Sequence, residues 1–214
     1  GKSSSDPTGR VNKYLFWETF LKVMPEDTLM ALGNSSVAMG ANQIGRRFKG
    51  QRMISNYICG SMGFDLPAAI GLAVSSKQPV VCVTGDGSMM MNLQELQTIW
   101  QNRLPVKLFV INNQGYHSIR QTQQSYFAPP LVGVGEESRD LSFPDLAKLM
   151  PAYGFPYRAV HSAEELPDAI REALDADGAF VCEVFVTKYQ KTEPKTSAKK
   201  LPDGSMVSAP LEDM

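Results

Sequence analysis

Two apolar runs rich in β-branched residues, Val80-Val81-Cys82-Val83 and Val106-Lys107-Leu108-Phe109-Val110-Ile111, each end in a short polar turn containing glycine. The first turn is Gly85-Asp86-Gly87-Ser88 and the second is Asn112-Asn113-Gln114-Gly115. Runs of this length and composition read as strands buried on both faces, as in a parallel sheet. From Ser88 to Asn102 the pattern changes to helical spacing, with Leu93, Leu96 and Trp100 on one face, Ile99 beside them, and Asn102 and Pro105 marking the end. Strand, helix, strand makes a right-handed crossover, so the two strands run parallel and both turns leave the same carboxyl edge. Ligands of open α/β sheets collect at that edge. The 27 positions from Asp86 to Asn113 are what one helix and one returning strand require, which makes one site of the two turns.

Residue chemistry says what such a site would hold. Asp86 offers a hard anionic oxygen and Asn113 an amide oxygen, while Gly115 could turn its backbone carbonyl to the same point. Three oxygen ligands, with room left for phosphate oxygens and water, suit Mg²⁺. Gly85 and Gly87 flank the aspartate, Gly87 lets the backbone approach a phosphate closely, and the N–H groups opening the helix at Ser88 favour an anion. The metal would supply the positive charge that a lysine supplies elsewhere. A nicotinamide-binding fingerprint is absent, because no Gly-x-Gly-x-x-Gly follows a strand.

At these residues the chain resembles the thiamine-diphosphate-dependent enzymes, which pair a Gly-Asp-Gly turn with a downstream Asn-Asn. The resemblance implies metal ligation by Asp86, Asn113 and the Gly115 carbonyl. A second segment agrees: Cys59-Gly60-Ser61-Met62-Gly63-Phe64-Asp65-Leu66-Pro67-Ala68-Ala69-Ile70-Gly71 is similar to the Gly-x-Met-Gly-x-x-Leu-Pro-Ala-Ala-Ile-Gly stretch of acetolactate synthases and their relatives. In that family the Met supports the folded cofactor and the Gly two residues earlier offers its carbonyl to the pyrimidine amine, roles that fall on Met62 and Gly60, with Ser61 between them. Most Met residues are core filler, so Met62 has that alternative. The family also implies diphosphate contacts at the end of an earlier strand, here Asn34 and Ser35, which could instead cap the following helix. The pyruvate-decarboxylase branch carries a catalytic Glu four residues beyond the metal-binding carbonyl; Ile119 stands there in this chain, which favours a carboligase over a simple decarboxylase.

The implied fold is a doubly wound α/β domain with a mostly parallel sheet and helices on both faces, spanning residues 11–187. Helices are expected over Asn12–Met24, Tyr116–Tyr126, Phe143–Met150 and Ser162–Leu174, and further strands over Thr28–Leu32, Phe155–Val160 and Ala179–Val186. Residues 1–10, polar with a serine run, read as a linker or cloning remnant, and residues 188–214 as an arm with no core of its own. Phe127–Asp140 reads as a loop long enough to be mobile or substrate-facing. Tyr116 and Ser118 are read as pocket wall. His117 titrates in a useful range, but no carboxylate is evident to orient it. Arg46, Arg47, Lys49 and Arg52 read as a solvated loop rather than an anion site, and Glu183 as structural.

A net charge of −1 gives no field to recruit nucleic acid or an anionic membrane, and no apolar stretch approaches the roughly 20 residues that span a bilayer. The cysteines Cys59, Cys82 and Cys182 show no paired spacing, which fits a reducing cytoplasm.

The resemblance implies thiamine diphosphate and Mg²⁺ as cofactors and a reaction moving a two-carbon unit from a 2-keto acid to a second keto acid or a keto-sugar. It implies no catalytic residue within this chain, because the activating Glu belongs to a pyrimidine-binding domain, on the same parent chain or on a partner subunit of a homo- or hetero-oligomer. A 2-keto acid decarboxylase component and a non-catalytic interaction module that keeps the fold are the rival readings.

Overall fold

The computed structural model describes residues 10–45, 49–127, 129–194, 198–210 and 212. Arg46 and Arg47 of the basic cluster and nearly all of the expected N-terminal linker lie outside them. Six strands, β1 (Leu29–Leu32), β2 (Arg52–Ile54), β3 (Val80–Gly85), β4 (Val106–Asn112), β5 (Tyr157–Val160) and β6 (Phe180–Phe185), form one sheet in the order β2-β1-β3-β4-β6-β5. Every neighbouring pair is parallel, so the expected mostly parallel sheet is wholly so. The chain winds one way from β1 to β2 and the other way from β3 onward, which leaves the site-forming strands β1, β3 and β4 side by side.

Period-2 alternation along the two central strands builds a core on each face of the sheet. Val81, Val83, Phe109 and Ile111 face a cluster completed by α1 (Lys13–Val23), α2 (Ser36–Ile44) and α8 (Leu166–Asp175). Val80, Cys82, Val106, Leu108 and Val110 face another, completed by α3 (Asp65–Ser76), α5 (Glu95–Gln101) and α7 (Leu146–Tyr153). On the first face Phe109 meets the Phe20 ring edge-on at 4.9 Å and lies 6.5 Å from Phe16.

Capping chemistry sets where the helices begin and end. Asn12 caps α1 by accepting from the backbone N–H groups of Tyr14 and Leu15, at 2.8 and 3.3 Å. The helix expected from Phe143 starts at Leu146, because Asp145 is the cap and accepts from the Ala147 N–H at 3.0 Å. The helix α8 starts at Leu166 rather than Ser162 with no side-chain cap, and Pro167 stands in its first turn, where the missing N–H costs nothing. The continuous helix expected from Ser88 to Asn102 is interrupted: α4 (Asp86–Met89) lasts one turn, a tighter turn covers Met90–Asn92, and α5 follows. The Asn92 amide donates to the Gly63 carbonyl across the site, which draws the chain out of regular helix there.

Lys107, the one charged residue of the second strand run, is buried at the start of β4 and donates to the carbonyls of Ala176 and, at 2.6 Å, Gly178. These carbonyls lie just beyond α8, where a cation is favoured by the helix dipole.

The C-terminal arm has more structure than its composition suggested. Gln190 and Thr192 side chains accept from the Lys13 backbone N–H and ammonium at 3.0 and 2.9 Å, laying the arm along α1. Beyond it β7 (Ala198–Lys200) and β8 (Met206–Ser208) form an antiparallel hairpin. Its turn carries Gly204 at φ 86° and Asp203, whose carboxylate accepts from the Ser205 N–H at 2.9 Å. Asp-Gly is a turn signal in its own right, and it outweighs the lack of apolar alternation.

Phe109→Ala is expected to destabilise the protein by about 3–5 kcal/mol, since the aromatic contacts with Phe16 and Phe20 leave a cavity the helices cannot close. Denaturant titration checks this against the unsubstituted protein, and a loss below about 1 kcal/mol would contradict the assignment of this cluster as the core.

Candidate functional site

Register places the two polar turns together. Gly85 pairs with Ile111 in the β3–β4 ladder, so Asp86 and Asn112 leave the sheet at the same level. The tips are joined directly: the Gly115 N–H donates to one oxygen of Asp86 at 2.9 Å and the Gly87 N–H donates to the other at 2.8 Å. Asp86 is only 7 % exposed, and burial pushes its carboxyl up to about 7, against the opposing pull of the Gly115 and Gly87 N–H groups and the Arg120 charge. Asn113 is buried as well, and its Oδ1 has no hydrogen-bond partner among the described residues. A buried carboxylate and a buried amide oxygen without a partner are hard oxygen donors of the kind that could hold a divalent cation.

Tight packing explains the glycines. A Cβ on Gly87 would sit 2.4 Å from the Tyr116 ring. Tyr116 is held in turn by its N–H to the Val134 carbonyl at 2.8 Å and by edge-on contact with Phe143. Gly115 has φ 144°, and a Cβ there would meet the Val134 carbonyl oxygen at 1.9 Å. Gly85 is under no such pressure, with open space where its Cβ would be.

Ser88 looks inward. Its hydroxyl accepts from the Gly63 N–H at 2.8 Å and donates to Asp65 at 3.0 Å. Asp65 is fully buried, and burial raises its pKa although Thr84, Ser88 and its own helix's N–H groups stabilise the anion. This network ties the segment before α3 to the first turn of α4.

The remaining sequence-derived candidates border the same edge. Asn34 donates to the Gly60 carbonyl, and the Ser35 and Ser118 hydroxyls are hydrogen-bonded to each other. Ser35 precedes α2 at φ 53° and makes no side-chain capping bond, which removes the capping alternative for it. Ser61 accepts from the Asn56 amide at 3.3 Å. Met62 is 37 % exposed, so it is not core filler. His117 is buried, and burial together with the Lys13 and Arg120 charges pushes it down to about 4, so it is a neutral imidazole at neutral pH. Neither of its ring nitrogens makes a well-formed hydrogen bond among the described residues, although the Gln190 and Lys188 carbonyls pull weakly toward the charged form.

Sequence reasoning missed two supporting groups. Arg120 is fully buried on α6 (His117–Tyr126), a helix otherwise so polar that no apolar stripe marks its inner face. Asn112, the first of the two asparagines, accepts from the Gln114 N–H at 2.9 Å and donates to Glu183 at 2.6 Å. Glu183 also accepts from the Tyr157 hydroxyl, which gives each carboxylate oxygen a partner. A cleft of about 390 Å³ borders this network, lined by Asn112, Gln114, Phe143, Tyr157 and Glu183 among others.

No helix among the described residues is long and apolar enough to cross a membrane. Residues 33–184 match the family model described as thiamine pyrophosphate enzyme, C-terminal TPP binding domain. The chain is 33 % identical over 155 residues to the acetolactate synthase large subunit of Pyropia yezoensis, covering 72 % of this chain and 26 % of that one. It is 30 % identical over 191 residues to the acetolactate synthase isozyme 2 large subunit of Escherichia coli, covering 89 % of this chain and 33 % of that one. Among solved structures, benzoylformate decarboxylase from Polynucleobacter necessarius superposes with a TM-score of 0.72 at 25 % identity, over 89 % of this chain and 38 % of the other. The chain thus spans about a quarter to a third of the length of the curated relatives it matches. With the matched region running from the end of β1 through β6 and taking in both polar turns, the chain belongs to the C-terminal, thiamine-diphosphate-binding domain family of acetolactate-synthase-like enzymes.

Proposed function

We propose that this chain is the diphosphate- and Mg²⁺-binding domain of a thiamine-diphosphate-dependent carboligase, and that Asp86, Asn113 and the Gly115 carbonyl hold the metal. The observation that carries this reading is the buried Asn113 Oδ1 left without a partner on the strand tip that is tied to Asp86. When bound, thiamine diphosphate supplies acyl-anion chemistry, which lets a 2-keto acid lose CO₂ and pass its two-carbon unit to a carbonyl acceptor. The chain's own residues bind and orient. Gly87 leaves room for the Tyr116 ring beside Asp86, Met62 offers a surface-exposed shoulder, and the Gly60 carbonyl accepts from Asn34. Asn34, Ser35, Ser61, Gly85 and Ser88 complete the surroundings of the cofactor, Ser88 through its hold on the Gly63 N–H.

Ile119 stands where the decarboxylase branch has its Glu, and α6 carries no carboxylate at all, so the helix brings no carboxylic acid to protonate an intermediate and release it. This favours passage of the two-carbon unit to a keto acid or keto-sugar acceptor. The likeness to benzoylformate decarboxylase favours a second reading, a 2-keto acid decarboxylase. Product analysis with and without an added carbonyl acceptor separates them.

A pyrimidine-binding domain, on the parent chain or on a partner subunit, is the proposed source of the activating Glu. Exposed apolar residues in segments leaving the carboxyl edge, Tyr57, Ile58, Met91, Ile119 and Phe127, support a covered surface there. Free thiols at Cys59, Cys82 and Cys182 support a reducing compartment such as the cytoplasm.

In the assembled enzyme, Asp86→Ala and Asn113→Ala should each weaken Mg²⁺-dependent binding of thiamine diphosphate by at least about 100-fold. Calorimetric titration measures this, and unaltered affinity in either variant rejects that residue as a ligand. A cofactor that fails to bind the assembled, unsubstituted protein would instead revive the reading as a non-catalytic module. The purified 214-residue chain alone should show no CO₂ release from pyruvate, with activity appearing when the pyrimidine-binding domain is supplied. Turnover by the isolated chain would overturn the proposal that the activating carboxylate comes from elsewhere.

A further inference from the structure

The turn that carries Asn113 is not a relaxed one. Gln114 sits at φ 59°, in the left-handed region that costs a non-glycine residue about 1–2 kcal/mol. Such a conformation persists only where its surroundings over-determine it. Three hydrogen bonds do so here. The Asn112 side chain accepts from the Gln114 N–H at 2.9 Å, Arg120 Nη2 donates to the Gln114 carbonyl at 2.9 Å, and the Gly115 N–H donates to Asp86 at 2.9 Å. The last two act on a single rigid unit. The peptide plane between Gln114 and Gly115 presents its C=O and its N–H in opposite directions. Arg120 therefore grips one side of the plane and Asp86 is gripped by the other.

Arg120 is suited to this by its shape and surroundings. The side chain is fully buried, its Nε pairs with Glu137, and Glu137 also accepts from Lys188 Nζ at 2.7 Å. The guanidinium is packed so closely to the turn that a Cβ on Gly115 would lie 2.7 Å from Nη2. A planar fork can serve Glu137 and the Gln114 carbonyl at once in a fixed geometry, which a single ammonium cannot.

We infer that Arg120 is a positioning residue for the metal site, acting through the Gln114–Gly115 peptide to hold the Asp86 carboxylate and the Asn113–Gly115 turn in one arrangement. This rests on the reading of Asp86, Asn113 and Gly115 as metal ligands and assigns how their geometry is enforced. The consequence is selectivity as well as affinity. Mg²⁺ demands a near-ideal octahedron with short bonds, whereas Ca²⁺ accepts irregular coordination at longer distances. Loosening the turn should harm Mg²⁺ binding more than Ca²⁺ binding.

The test titrates Mg²⁺ and Ca²⁺ separately into the assembled enzyme at saturating thiamine diphosphate, for the unsubstituted protein and for Arg120→Met. Loss of Mg²⁺ affinity by about 10–100-fold, with a clearly smaller loss for Ca²⁺, is expected. Should Arg120→Met yield no folded protein, Arg120→Lys, which keeps the charge facing Glu137, carries the same comparison and the same expected ordering. Equal weakening of the two metals, or unchanged affinity in a folded variant, overturns the inference while leaving the ligand assignment intact. Absence of metal-dependent binding in the unsubstituted enzyme sinks the ligand assignment itself and the inference with it.

Discussion

A carboxylate withdrawn from water at the meeting point of two strand tips organises this domain. Asp86 can stay there only because backbone N–H groups from both turns face it, and those groups face it only because β3 and β4 end in register. Moving either strand by a residue would send its side chains to the opposite layer and break both cores at once. The same alternation that buries Val81 and Val83 on one side and Val80 and Cys82 on the other therefore also sets the height at which the acid emerges. Stability and site geometry are here the same constraint seen at two ends of a strand.

The groups around Asp86 show how little slack the arrangement has. Gly87 leaves space that Tyr116 fills, and Gly115 leaves space that the Val134 carbonyl and Arg120 fill. On the neighbouring side, Ser88 and Asp65 lock the segment carrying Gly60 and Met62 to the start of α4. The candidate cofactor contacts thus lie on segments braced by hydrogen bonds to one another, and only Met62 and the Gly60 loop retain substantial exposure. Such bracing holds polar groups in place before any ligand arrives, which lowers the ordering cost of binding.

What could be read from the sequence, and what could not, divides along physical lines. The strands β3 and β4 were legible because contiguous β-branched runs have few other uses, and Asp86 and Asn113 because the spacing between them matches one crossover. The helix starts at Leu146 and Leu166 lie a few residues beyond the expected ones because local chemistry decides them rather than periodicity, a single Asp145 capping bond for the first and Pro167 in the opening turn for the second. The break after Met89 depends on Asn92 reaching Gly63, a contact between segments far apart in sequence. Arg120 was invisible for a related reason. A buried cation needs an anion and a carbonyl brought from elsewhere in the fold, and nothing local to α6 announces Glu137 or the Gln114 oxygen. The hairpin at Ala198–Lys200 and Met206–Ser208 went unread because its residues face solvent and carry no alternation, leaving the Asp203-Gly204 turn as its only mark.

The margins of the sheet carry a consequence for association. One margin is β2, a three-residue strand with Arg52 and Ile54 exposed, and the other is β5, four residues long, whose Arg158 is engaged with Glu172 of α8. Strands this short, each bearing a guanidinium, are poor templates for another chain's backbone. Lateral fusion of sheets is therefore disfavoured. That leaves the helical faces and the loop-bearing tip, where side chains rather than unpaired amides would decide the fit of any other chain.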